Sequence, residues 1–173
     1  MHHPQLWIDR LAQLPEASRA RGTESIARAW AEQMPEEATP WVASLSPGET
    51  RNGAAAAVAS TWARQDVQGA AAWVTSLVPG AERDRCAHSL VVALGDTNPR
   101  EAWEWALRIG DTAERIRAAT HAAQKMAARD PATARQWIDA GPFTAETKAE
   151  LQAALERRSP SPGPRLVGSL GES

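Results

Sequence analysis

The chain has 173 residues, of which 36 are Ala, 17 Arg, 8 Trp and 2 Lys, with one Phe and no Tyr. Apolar residues at 43% against 23% charged exclude a collagenous, low-complexity or globally disordered chain, and Ala and Arg with only five Ile leave little material for strands, so the expected fold class is all-α. Nineteen basic against twenty-one acidic residues give a net charge of −2 with no block of like charges, which argues against the basic stripe of a nucleic-acid binder.

The N-terminus, Met1-His2-His3-Pro4, leads straight into an amphipathic pattern without the basic and apolar regions of a signal peptide. Trp7 marks a first unit. From there the chain repeats: Trp41, Trp73, Trp105 and Trp137 stand 32 residues apart each time, and Trp7 precedes Trp41 by 34. Trp30, Trp62, Leu94 and Met126 share the period, as do Arg19, Arg51, Arg83 and Arg115, and Pro15, Pro47 and Pro79. Pro35, Pro99 and Pro131 hold a further register in which Val67 is the exception. Five units result.

Each unit reads as two helices. The first is short and opens at Pro35, at Pro99 after Asn98, and at Pro131 after Asp130, where a side-chain cap followed by Pro is a start signal. In the fourth unit Ala102, Trp105, Ala106 and Ile109 have the spacing of one helical face. Breaks follow at Ser46-Pro47-Gly48 and Val78-Pro79-Gly80. Ser46 with Glu49, and Asp111 with Glu114, then have the capping-box spacing that starts the longer second helix. In the second unit this helix covers residues 49–64, with Ala55, Val58, Ala59 and Trp62 on one stripe. Residues 144–157 form a last helix. Beyond it Ser159-Pro160-Ser161-Pro162-Gly163-Pro164 cannot continue a helix. The expected architecture is therefore an α-solenoid of about five two-helix repeats over residues 4–157, followed by a disordered, flexible Pro/Gly/Ser-rich tail over 158–173.

The step of six residues from Pro35 to Trp41, Pro99 to Trp105 and Pro131 to Trp137, with small residues in the second helix, carries a resemblance. Residues 4–157 resemble the tetratricopeptide-like superfamily of helix-turn-helix repeats, in a divergent form with a period of 32 rather than 34 and with Leu45, not a Leu-Gly pair, after Trp41. The resemblance implies a superhelix whose concave surface, lined by the first helices, holds a peptide or a partner protein. It assigns no binding residue.

Several residues invite a functional reading. Trp41, Trp73, Trp105 and Trp137 share a stripe with Ala and Leu and read as core. Arg51 lies eleven positions before Trp62, on nearly the same face, in a first turn where the helix dipole disfavours a cation. Arg19, Arg51, Arg83 and Arg115 are accordingly expected to form a structural ladder, capping preceding carbonyls or pairing with an acid such as Asp66 or Glu82; an arginine row gripping an anionic partner is the other reading. Trp103 lies about 200° from the stripe of Trp105, with Arg100, Leu107, Arg135, Asp139, Gln68 and Glu36 on its face. An exposed Trp beside Arg has the composition of a hot spot, against which stands packing on a neighbouring first helix.

Catalytic patterns are absent. His88 and His121 lack a Cys or carboxylate at ligand spacing, and the sequence has no HExxH, GxSxG or glycine-rich phosphate loop. Cys86, the single cysteine, takes the place of Ala54 and Ala118 and reads as a small core residue that needs no oxidising compartment. The longest apolar run, Ala54 to Ala59, is far below the roughly 20 residues that span a bilayer. The expectation is a cytoplasmic, non-enzymatic scaffold without cofactor, metal or membrane contact. It binds a protein or peptide through Trp103, Arg100, Leu107, Arg135 and Asp139. An RNA-binding repeat of pentatricopeptide type is one alternative. A regulatory or truncated module of a larger protein, open to end-to-end self-association, is another, since the first hairpin starts within six residues of Met1 without a capping segment.

Overall fold

The computed structural model describes residue 11 and residues 15–157, and over these it is all-helical, with no strand. The described helices are α1 (Glu16–Ala31), α2 (Pro35–Ser44), α3 (Glu49–Ala63), α4 (Val67–Ser76), α5 (Ala81–Leu94), α6 (Pro99–Leu107), α7 (Thr112–Ala127), α8 (Pro131–Ala140) and α9 (Ala145–Glu156). Long helices alternate with short ones at the expected period. The expected helix around Trp7 and the expected tail 158–173 lie outside the described residues.

Local chemistry sets where each helix starts. The Asp66 carboxylate accepts from the Gln68 and Gly69 amides at the head of α4, Asn98 from Glu101 at α6, and Asp130 from Ala132 and Thr133 at α8. Asp111 caps α7 by accepting from the Glu114 amide at 2.8 Å. Ser46 does not cap α3, contrary to its spacing from Glu49. The N-cap there is Gly48 at φ +145°, and Gly80 repeats this before α5 at φ +154°. Both sit in a backbone region that only glycine enters readily, so the Ser-Pro-Gly and Val-Pro-Gly turns, not a hydroxyl, aim the long helices.

The long helices form a continuous row: α1 packs on α3, α3 on α5, α5 on α7 and α7 on α9. Among the described residues each short helix packs between the two long helices that flank it in sequence, and no short helix meets another through its backbone. Alanine makes the row possible. Ala54, Ala55 and Ala59 of α3, Ala87 of α5, and Ala118, Ala119, Ala122 and Ala123 of α7 are buried, so backbones approach closely around Val58, Leu90 and Val91. Tryptophan wedges the short helices against this row. Trp30 of α1 meets Trp41 of α2 with ring centroids 5.6 Å apart, and Trp62 of α3 meets Trp73 of α4 at 6.2 Å. A side chain at Gly69 would come within 2.9 Å of the Trp62 ring, so that close approach requires glycine.

Polar links repeat with the helices. The Gln65 side-chain amide donates to the Glu32 carbonyl at 3.1 Å, and two periods' spacing later Arg129 donates to the Asp96 carbonyl, tying the end of α3 to that of α1 and the end of α7 to that of α5. Among the described residues no helix is long and apolar enough to cross a membrane.

Candidate functional site

What lies between α4 and α6, and between α6 and α8, depends on one register position. On α4 the residues facing α6 are Gln68, Ala71, Ala72 and Thr75, a stripe of small and polar side chains. They leave an open groove of about 670 Å³, walled on the other side by Glu101, Glu104, Trp105 and Arg108 of α6. One period on, Ala71 becomes Trp103. Its indole crosses from α6 to α8, where it meets Trp137 with centroids 5.8 Å apart and Phe143, edge-on, at 6.0 Å. That cleft is filled from within.

The wall of the open groove is electrostatically mixed. Half-buried Glu101 accepts from the Asn98 side-chain amide at 2.9 Å, and exposed Glu104 lies 3.5 Å from the Arg100 guanidinium. The Arg108 guanidinium lies 4.8 Å from the centroid of Trp105, a cation–π contact over a ring that is itself only 6% exposed. Behind this wall the turn from α6 to α7 is anchored by Asp84 of α5. This buried carboxylate accepts from the Gly110 amide at 3.0 Å and the Asp111 amide at 2.9 Å. The turn that follows Arg108 is therefore held by a residue of α5.

The sequence-derived partner residues do not assemble into one exposed site. Trp103, read as an exposed anchor, is 7% exposed and belongs to the core, packed on the next short helix. Burial on one side of a short helix does not make the opposite side solvent, since a large ring bridges to the neighbour. Leu107 likewise packs against the core. Arg100 is exposed with Glu104 as its partner, and Arg135 is exposed. Asp139 is exposed but engaged: its carbonyl accepts from Lys148 at 2.5 Å and its carboxylate from Gln152 at 2.7 Å, holding α9 to α8.

The arginine register is not one ladder. Arg51 makes a two-point pair with Glu82 at 2.8 and 3.1 Å, linking α3 to α5. Arg83 does not repeat it, because Glu114, the counterpart of Glu82, is taken by Arg117 at 3.1 Å and faces His88. Arg115 instead donates to the Ile109 and Gly110 carbonyls at 2.9 and 3.3 Å, and Arg19 is exposed. His88 Nδ1 stands 2.5 Å from Glu114 Oε1, an ion-pair distance without the alignment of a hydrogen bond. A carboxylate is thus beside His88 after all, brought from 26 positions away in sequence.

Elsewhere the titratable groups serve the framework. Burial, with Glu82 second, pushes the Cys86 thiol well above its ordinary range, which makes it a poor nucleophile. The Lys125 ammonium hydrogen-bonds Asp96 and holds that carboxyl below its ordinary value. No family model, curated protein or solved structure matches this chain.

Proposed function

We propose that the chain is a helical-repeat scaffold, an α-solenoid of tetratricopeptide-like type, that binds a segment of a partner protein between its short helices and performs no catalysis of its own. The observation that carries this reading is the open groove between α4 and α6, in a molecule whose neighbouring cleft is closed by its own Trp103. A groove floored by Ala71 and Ala72 lets a second backbone approach, and Gln68, Thr75, Glu101 and Arg108 along its rims offer hydrogen bonds and charge. Two carboxylates on one wall disfavour the phosphate backbone that the RNA-binding alternative requires. A cytoplasmic setting suits the lone buried thiol.

Panning a displayed library of random peptides against the intact protein tests the reading. Enrichment of a related set of sequences, held at low micromolar affinity and competing with one another, is the expected result. A library that yields no enriched set overturns it.

A further inference from the structure

We propose that the groove between α4 and α6 takes an extended segment carrying an aromatic residue and, two positions away, an arginine or lysine. This rests on the peptide-binding reading above and gives its partner a chemistry.

The aromatic half follows from the molecule's own repeat. In the cleft between α6 and α8, Trp103 lies against Trp137. In the groove between α4 and α6, Trp105 takes the place of Trp137 and Ala71 the place of Trp103, so the space an indole occupies one period later is open to solvent. Trp105 is largely buried and lines this groove with its outer edge, where the Arg108 guanidinium lies over the ring. Arg108 is exposed and makes no side-chain hydrogen bond among the described residues, so it is free to swing aside or to stack on an incoming ring.

The cationic half follows from the wall. Glu101 and Glu104 are one helical turn apart on α6, and each meets a single partner, Asn98 or Arg100, although an ionised carboxylate has about four acceptor sites. Side chains two apart in an extended segment point the same way and are separated by roughly 6.6 Å. That matches the roughly 5–6 Å between helix positions three or four apart, so a ring beside Trp105 places the second side chain at the carboxylates. An anionic segment would face two carboxylates with only Arg108 to receive it.

The test uses the intact protein and a fluorescein-labelled heptapeptide, Gly-Ser-Phe-Ser-Arg-Ser-Gly, with versions carrying Ala for Phe or Glu for Arg. Fluorescence anisotropy should show each altered peptide bound at least about tenfold more weakly. Ala71→Trp, which plugs the groove without removing a charge, should weaken the parent peptide by a similar factor. The double variant Glu101→Gln, Glu104→Gln should remove the preference for Arg over Glu while keeping that for Phe. Circular dichroism melts establish that the variants are folded. Should the three peptides bind alike, or Ala71→Trp bind like wild type, this groove assignment falls while peptide binding elsewhere stands. If neither these peptides nor any member of a displayed library is held, both readings fall.

Discussion

The clefts on the two sides of α6 share a backbone plan and differ in their contents. Toward α8 the cleft is filled by Trp103 against Trp137 and Phe143; toward α4 it is an open groove over Ala71 and Ala72. The registers that build the row of long helices tolerate only small or closely fitting side chains, because each faces two neighbours. The register of Thr39, Ala71, Trp103 and Arg135 holds side chains of very different size, from Ala71 lining the groove to Trp103 filling the next cleft. A repeat protein can therefore keep its framework constant and place a ligand groove by changing one residue per period.

The comparison breaks most severely at Trp103. Trp103→Ala should turn the filled cleft into a second open one and cost about 3–5 kcal/mol, the range for removing a large buried aromatic. A urea melt reads the loss, and added indole should recover part of it by occupying the vacated space. A loss below about 1 kcal/mol would mean that the cleft is held together by its flanks.

Asp84 sharpens the contrast from the open side. Replacing it by Ala takes the charged acceptor from the Gly110 and Asp111 amides, which belong to exposed residues that water can reach, and should cost about 1 kcal/mol. Because that turn fixes the wall carrying Trp105 and Arg108, amide exchange should accelerate over residues 105–111 and stay unchanged in α8. Uniform acceleration across the chain would show that Asp84 matters to global stability only. Ala71→Trp makes the opposite change. The added ring should bury against Trp105 and raise stability by about 1 kcal/mol, measured by the same melts. A decrease would show that the groove is not shaped like the cleft beside it.

Much of this was legible in the sequence. The period, the Asn98-Pro99 and Asp130-Pro131 starts and the Asp111 cap are local signals, and local chemistry decided them. Ser46 misled because the residue after Pro47 is a glycine able to adopt φ +145°, which starts the helix without a hydroxyl. Trp103 misled for a different reason: a helical wheel locates the face toward the long helices but carries no information about a second neighbour one period away. The pairing of Glu114 with His88, which interrupts the arginine register at Arg83, is equally non-local. The groove itself had a signal, since aligning residue 71 with residue 103 shows Ala where the next unit has Trp.

The smallest expected effect concerns how the two clefts respond to acid. The wall shared by both, α6, is capped by Asn98, which does not titrate, whereas the far wall of the filled cleft, α8, is capped by Asp130. The Thr133 hydroxyl bonds this carboxylate at 2.6 Å, the Thr133 and Ala132 amides at 3.2 and 3.0 Å, and together they hold it below the ordinary aspartate value of 3.8. A depressed folded value means that the cap's stabilisation is complete above 3.8 and is lost as pH falls through the lower folded value. Acidification below that window should therefore increase amide exchange at Ala132 and Thr133, after correction for its intrinsic pH dependence, while Glu101 at the head of α6 lacks that step. Asp130→Asn should abolish the step at α8 and make the starts of the two helices respond alike. If the step persists in Asp130→Asn, the acid sensitivity of α8 does not come from its cap.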